Sequence, residues 1–117
     1  MAADSQGNAY VAGGSYSTDY PLAGAYQPRN AGDRDVIVSK IRPDGSALVY
    51  STYLGGAGDD LAWAIAMWQG DAFVTGFTGS DDFPLRRAAQ TTKGRVTDGF
   101  VARLSSSGSW LVYSTFL

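Results

Sequence analysis

Two pairs of adjacent carboxylates are the residues of this sequence that could perform chemistry. Asp59 and Asp60 follow a Gly-Gly-Ala-Gly run, and Asp81 and Asp82 follow a Gly-Ser pair. Such carboxylates could bind calcium, but the ligand spacing of a known calcium loop is missing. A general acid and base would require one carboxyl group with a raised pKa in a cleft. We therefore interpret both pairs as solvated turn residues and predict no metal site and no catalytic residue.

The composition excludes most other chemistry. The sequence has no His and no Cys, which removes imidazole and thiolate metal sites, nucleophilic triads and disulfides, and we predict no cofactor. The formal net charge of −2 argues against nucleic-acid binding. No apolar run approaches the roughly 20 residues that span a bilayer, and no hydrophobic signal core follows Met1. We predict no membrane insertion and no signal peptide in this chain.

An internal repeat organises the sequence. A shift of 63 positions aligns residues 1–54 with residues 64–117 without a gap, and 22 of the 54 aligned pairs are identical. Copy one and copy two are therefore predicted to be equivalent structural units. Residues 55–63 would form the connecting loop and the start of the first strand of copy two. They have no counterpart ahead of Met1, so the first strand of copy one is reduced to residues 1–3.

Each copy predicts four short strands, because β-branched and aromatic residues alternate with Gly, Asp and Pro turns. Their predicted bounds are Leu61–Met67 for the first strand of copy two, Ala9–Ser15 and Ala72–Thr78 for the second, Asp35–Ile41 and Asp98–Leu104 for the third, and Ala47–Leu54 and Trp110–Leu117 for the fourth. The strands are apolar on both faces, so each sheet should be covered on both sides. Trp63 and Trp110 are predicted to fill the core and the space between units.

These features predict an all-β fold of two four-stranded antiparallel blades of a β-propeller. The segments Gly7–Gly13 and Tyr50–Gly56, and the Ser-x-Asp-aromatic-Pro step at Ser17–Pro21 and Ser80–Pro84, resemble the SBBP repeat. This β-propeller repeat occurs in large bacterial surface and secreted proteins. The resemblance implies the propeller fold and an extracellular or cell-surface location, but no settled activity.

Three features are candidate contacts or structural elements. Ser and Asp of the Ser-x-Asp-aromatic-Pro step are predicted to cap turns, with Tyr20 or Phe83 filling space beside the blade. Trp68 stands where copy one has Ser5, so it could contact a ligand or pack locally, as the turn requires no aromatic residue. Arg86 and Arg87 belong to a basic loop that could bind an anionic partner or serve solubility; the loop also contains Lys93 and Arg95.

A two-blade unit would leave its two outer sheet faces uncovered. Because repeat arrays generally need about three or more units to bury such faces, we predict that the chain associates with itself. A head-to-tail contact would close a ring if the rotation allows. We favour a homotrimer, with a tetramer or a filament as alternatives, and the chain could also be a fragment of a longer propeller. Residues near the joint between subunits would be Met1, Ala2, Phe116 and Leu117.

The sequence favours a non-catalytic module that acts as a binding or assembly scaffold. The candidate contact residues are Asp59, Asp60, Trp68, Arg86 and Arg87. The ligand of such a scaffold would be a glycan or a protein of unknown identity. The alternatives are a purely structural oligomer or filament subunit, a lectin-like propeller, and an Asp-dependent hydrolase.

Overall fold

The computed structural model describes all 117 residues and consists of two antiparallel sheets of four strands each, with no helix. Strands that follow one another in sequence are neighbours in each sheet. Sheet 1 contains β1 (Ala2–Ala3), β2 (Ala9–Ser15), β3 (Asp35–Ile41) and β4 (Leu48–Leu54), and sheet 2 contains β5 (Asp60–Trp68), β6 (Asp71–Thr78), β7 (Asp98–Leu104) and β8 (Leu111–Phe116). The prediction of an all-β fold is confirmed.

The sequence repeat is also a structural repeat. Ile37 of β3 lies opposite Tyr53 of β4, and Phe100 of β7 lies opposite Phe116 of β8, which is the same pair after a shift of 63 residues. The β3–β4 and β7–β8 ladders are both irregular at the same point, after Lys40 in one sheet and after Arg103 in the other. Equivalent residues can therefore be compared directly between the sheets.

The first hairpins of the two sheets differ. In sheet 2, Gln69 and Gly70 have φ angles of 52° and 86°, which is typical of the two-residue type I′ turn. In sheet 1, Asp4 begins a longer turn because its Oδ1 accepts hydrogen bonds from the backbone N–H groups of Gln6 and Asn8, at 3.0 and 2.9 Å. This explains why copy one has Asp at a position where copy two has Met.

The hydrophobic core lies between the two sheets. It contains Tyr10, Val36, Val38, Tyr50 and Leu54 from sheet 1, and Ala62, Ala72, Val74, Phe83, Phe100, Ala102, Leu104, Leu111 and Phe116 from sheet 2 and its loops. Burial of a large apolar side chain contributes roughly 1.5–3 kcal/mol. The contact between the sheets is therefore the main source of stability in the isolated chain.

A long loop protects the outer edge of each sheet. In sheet 1 the loop between β2 and β3 pairs with β4 through Ala23 and Ser51, and in sheet 2 Arg86 and Ser114 make the equivalent pair. The same loop brings Phe83 onto Phe100, with ring centroids 4.6 Å apart. The predicted space-filling role of this aromatic residue is confirmed, and an unpaired outer edge is avoided.

The prediction that Trp63 and Trp110 lie in the core is wrong, because their side chains are 70% and 52% exposed. The ladder between β5 and β6 is irregular between Ala62 and Ala64, so Trp63 has no partner residue. An extra residue of this kind interrupts the alternation of side chains along a strand. Ala62 therefore shares the buried face with Ile65, and Trp63 is directed outward.

We expect Ile37→Asp and Phe100→Asp to prevent folding. Both residues are buried, with 6% and 0% exposure, in equivalent third strands, as the repeat predicts. An unpaired charge at such a position costs at least about 4 kcal/mol, a large part of the stability of a small domain. Circular dichroism and urea titration would measure the loss. Val96→Asp, at an exposed loop residue, is the control, and a folded Ile37→Asp protein would contradict the shared register.

Candidate interaction surfaces

The contact between the sheets uses a different face of each sheet. Sheet 1 contributes the face that carries Tyr10, Val38 and Tyr50, which we name face A. Sheet 2 contributes the opposite face, which carries Ala72, Val74, Leu104 and Leu111 and which we name face B. Because the sheets are repeats, each has both faces. One face A and one face B are therefore left without a partner sheet.

Tyr50 is a central contact of the covered pair of faces. Its ring packs against Gly108, in the turn between β7 and β8, so closely that a Cβ on this glycine would lie 2.2 Å from Tyr50 Cγ. Gly108 also has a φ of 72°, which favours glycine. The buried Tyr50 hydroxyl has no hydrogen-bond partner, and burial raises the pKa of this group well above its usual range. Tyr50 thus fills a socket formed by a glycine turn.

Face A of sheet 2 is uncovered and mostly apolar, although Arg103, which forms an ion pair with Asp71, lies on it between Phe73 and Tyr113. Phe73 and Tyr113 stand at the positions of Tyr10 and Tyr50, and their ring centroids lie 6.3 Å apart. Beside them is a cavity of about 280 Å³ lined by Ala64, Ile65, Ala66, Phe73, Val74, Thr75 and Val101. None of these lining residues is titratable. The surface is suited to apolar packing.

Face B of sheet 1 is the complementary surface. The loop between β2 and β3 covers Ile37 and Tyr53 on this face, and the side formed by β2 is open. Ala9 and Val11 are partly exposed, whereas the equivalent Ala72 and Val74 are buried under sheet 1. The turn that corresponds to Gly108 contains Gly45, which has the same φ of 72° but no atom within 4 Å of the site of a Cβ. The socket that Tyr50 fills in sheet 2 is therefore also formed in sheet 1, and there it is empty.

The loop that connects the sheets, Gly55–Asp60, is held by polar side chains of sheet 2. The N–H of Ala57 donates to Asp82 Oδ1, and the N–H of Gly58 donates to Ser80 Oγ, both at 2.8 Å. A Cβ on Gly56 would lie 2.2 Å from Asp82 Oδ1. The Ser and Asp of the step in copy two therefore bind the loop, a role that the turn-capping prediction missed.

The prediction that Asp59 and Asp60 are a solvated pair is wrong. Asp59 forms a bidentate ion pair with Arg34, at 2.8 and 2.9 Å. Asp60 is completely buried and accepts hydrogen bonds from the Gly56 N–H at 3.0 Å and from the Ser80 hydroxyl at 2.8 Å. Asp60 is not at the surface, so only Asp59 remains available to a ligand.

Asp35 is a second buried carboxylate at this loop. Its Oδ2 accepts hydrogen bonds from the Ala31 N–H and the Gln27 amide, both at 2.8 Å, while its Oδ1 has no partner. A Cβ on Gly55 would lie 2.6 Å from this free oxygen and 2.7 Å from Asp60 Oδ2, so both carboxylates face one glycine. Burial and the nearby charge of Asp60 raise the pKa of Asp35.

We expect Asp35→Asn to raise the melting temperature at neutral pH. Because the pKa of Asp35 is raised in the folded state, its contribution to stability is present at low pH and is lost as pH rises from its ordinary value of 3.8. An amide in this place removes the buried charge and can donate to Asp60. Thermal denaturation across a pH series should show a weaker loss of stability with rising pH than in the unsubstituted chain.

Asp98→Asn is the matched control, because Asp98 is the equivalent residue in sheet 2 and is partly exposed. Asp98 Oδ2 accepts the equivalent hydrogen bond from a backbone N–H group, that of Gly94 at 2.8 Å. The connecting loop with its buried Asp60 lies beside Asp35 and not beside Asp98. Only a small change is expected. A lower melting temperature for Asp35→Asn at neutral pH would contradict this account of the buried pair.

Of the remaining predicted contact residues, Trp68 lies at the margin of face A of sheet 2, and Arg86 and Arg87 lie in the loop between β6 and β7. The Trp68 ring is 57% exposed, and the Arg103 guanidinium lies 5.7 Å from its centroid, so the ring is packed locally on one side and open on the other. Arg86 and Arg87 are exposed. Lys93 is different: it pairs with Asp81 at 3.3 Å and donates to the Val96 carbonyl at 2.6 Å, which orders its own loop.

Arg87 has a strained backbone. Its φ is 50°, and the equivalent residue of copy one, Gly24, has a φ of 54°. We expect Arg87→Gly to stabilise the chain, since a non-glycine residue in this region costs about 1–2 kcal/mol, partly offset by the greater freedom of glycine in the unfolded chain. Urea denaturation would measure the gain. Gly24→Ala should lower stability, and a destabilised Arg87→Gly would show that the arginine side chain itself is required.

The chain ends differ in accessibility. Met1 and Leu117 are 88% and 63% exposed, and Ala2 pairs with Tyr10 at the inner edge of sheet 1. Phe116 is completely buried in the core, so it cannot itself form a contact between subunits. Of the four terminal residues predicted at an interface, the structure places Phe116 elsewhere.

Comparison with known proteins assigns no family: no family model matches the sequence, and no curated protein matches it significantly. The resemblance to the SBBP repeat therefore stays a prediction. No cluster of three or more carboxylates in the chain could hold a metal ion. The structure contains no helix that is long and apolar enough to cross a bilayer.

Proposed function

We propose that this chain is a two-blade unit of a β-propeller that functions as a non-catalytic assembly scaffold and associates head to tail with further copies of itself. Each sheet would be one blade. Face A of blade 2 would pack on face B of blade 1 in the next copy, repeating the contact that joins the two blades within the chain.

The observation that carries this proposal is the empty glycine socket. Tyr50 packs on Gly108 within the chain. The repeat places the equivalent tyrosine, Tyr113, on one uncovered face and the equivalent glycine, Gly45, on the other. Gly45 keeps the backbone conformation of Gly108 although nothing fills the space beside it. Insertion of Tyr113 into this turn would bury both uncovered faces together.

A non-catalytic role is supported by the chemistry of the surfaces. The 280 Å³ cavity on face A of blade 2 is lined by apolar side chains and one threonine. Asp59 is neutralised by Arg34, and Asp60 is buried among its donors. The carboxylates that could have acted as acid and base instead fix the connecting loop.

We expect light scattering at micromolar concentration to give a discrete multiple of 12.3 kDa. A trimer, which supplies six blades, is the favoured species, and a tetramer would supply eight. The apparent melting temperature should rise with protein concentration, because assembly stabilises only the folded state. A folded monomer whose stability does not depend on concentration would refute the proposal.

Charged substitutions on the two faces separate assembly from folding. Ala66→Asp lies on face A of blade 2 at an exposed residue, and Val11→Asp lies on face B of blade 1 at a partly exposed residue. Each should reduce the mass to that of a monomer with the β-sheet spectrum retained, since the charge would be buried only in the assembly. Val96→Asp, in the loop between β6 and β7, should leave the mass unchanged.

A lectin-like role is a second candidate, and exposed aromatic rings favour it. Trp63 is 70% exposed and packs on Phe77, with ring centroids 5.5 Å apart, so one side of the indole is available to a sugar. Binding on a glycan array that is lost in Trp63→Ala would support this function. Binding that persists in that variant, or no binding at all, would exclude Trp63 as a sugar platform.

A further inference from the structure

In sheet 2, three polar side chains hold one extended segment. Thr78 and Ser80 donate their hydroxyl groups to the Asp60 carboxylate, at 2.5 and 2.8 Å, and Ser80 and Asp82 accept the N–H groups of Gly58 and Ala57. Directly after Asp60 the chain continues as β5 and pairs with β6. A glycine-rich turn, a buried carboxylate and a strand are thus bound as one unit.

The same three polar side chains exist in sheet 1 without that segment. Ser15, Ser17 and Asp19 correspond to Thr78, Ser80 and Asp82. Ser15 and Ser17 are already arranged like their counterparts, because the Ser17 N–H donates to Ser15 Oγ at 3.0 Å, as the Ser80 N–H donates to Thr78 Oγ1 at 3.0 Å. The Ser17 hydroxyl donates to Asp19, and both residues are exposed.

The adjacent strand edge is also open. β6 pairs with β5 along its whole length up to Thr78, whereas β2 pairs with β1 only at Ala9 and Tyr10. The inner edge of β2 therefore has no partner strand from Val11 to Ser15. An unpaired edge of this kind can accept an extended peptide as an additional strand.

Gly13 marks the space that an added strand would fill. In sheet 2 the equivalent Gly76 must be glycine, because a Cβ there would lie 2.0 Å from the Leu61 carbonyl oxygen of the neighbouring strand. Gly13 has no atom within 4 Å of the same site. The sheet 1 backbone is shaped for a close neighbour that the chain does not place there.

We propose that the inner edge of β2, together with Ser15, Ser17 and Asp19, is a binding site for an extended peptide with the pattern Gly-Gly-x-Gly-x-Asp followed by apolar residues. The backbone N–H groups of the glycine turn would donate to Ser17 and Asp19. The peptide carboxylate would accept hydrogen bonds from the Ser15 and Ser17 hydroxyl groups, and the apolar part would add a strand to β2.

One residue of the site differs between the sheets. Tyr16 stands where sheet 2 has Gly79, whose N–H donates to the Asp59 carbonyl at 2.7 Å. A Cβ on Gly79 would lie 3.2 Å from that oxygen, so the bound peptide must shift by a few tenths of an ångström beside Tyr16. The Tyr16 side chain is exposed, and the Arg34 guanidinium lies 5.3 Å from the centroid of its ring.

The test uses the full chain and a nine-residue peptide with the sequence of residues 55–63. The peptide carries fluorescein at its N terminus for direct binding, and an acetylated form serves as the unlabelled competitor. Fluorescence anisotropy should show saturable binding. Ser17→Ala combined with Asp19→Asn should weaken the affinity by about tenfold or more, because hydrogen bonds to a charged group are lost. A peptide with Ala at the position of Asp60 should bind more weakly by a similar factor.

Gly13→Val is the sharpest variant. It meets open space in the free chain, so the melting temperature should change little, but the new side chain would occupy the path of the added strand. Binding should be lost. If Gly13→Val fails to fold, the Ser17 and Asp19 variant at exposed positions decides the question. Ser80→Ala is the matched control and should lower stability while leaving the peptide affinity unchanged.

The proposal is overturned if the peptide does not bind saturably, or if binding is the same in the Ser17 and Asp19 variant. It does not depend on self-association, since the peptide contacts residues of a single chain. Light scattering of the same samples shows the assembly state separately. A monomer that binds the peptide would support this site and contradict the proposed function. An oligomer that does not bind the peptide would support the proposed function and contradict this site.

Discussion

Apolar side chains on both faces of each sheet are the constraint on which the rest of this structure depends. The sheets cover one another through face A of one and face B of the other, and this contact contains the hydrophobic core. A residue such as Val74 is buried only because the neighbouring sheet covers it, and its counterpart Val11 stays partly exposed. Because the two sheets are repeats, equivalent residues can be compared in two environments, one in which the neighbouring sheet covers them and one in which it does not.

Polar side chains hold the loop that connects the two sheets. The connecting loop is fixed by Ser80 and Asp82, and its own Asp60 is buried among hydroxyl and amide donors. Burial of a carboxylate is costly unless several donors compensate it, so this loop has few alternative conformations. Beside the loop the compensation is incomplete, because the second oxygen of Asp35 has no partner, and burial raises the pKa of this carboxyl group.

Glycines show most clearly what the open surfaces are shaped to accept. Gly108 and Gly76 are required by close neighbours, a tyrosine ring in one case and a strand carbonyl in the other. Gly45 and Gly13 have the same identity but no neighbour within 4 Å. The comparison of Gly108 with Gly45 supports a sheet face as the partner of the open surface. The comparison of Gly76 with Gly13 supports an added strand. These are two separate surfaces with different chemistry, and both support the proposal that the unit joins other chains.

The amino-acid sequence by itself determined the repeat, its offset and the positions of the strands, because periodicity and turn residues act locally. Ile37 and Phe100 were correctly predicted to be equivalent and buried. Only the tertiary structure decided which carboxylate is buried, since Asp59 and Asp60 are neighbours in sequence and differ only in what folds against them. The same holds for Trp63, which an extra residue in the β5–β6 ladder turns outward, a consequence of strand pairing that no local pattern contains.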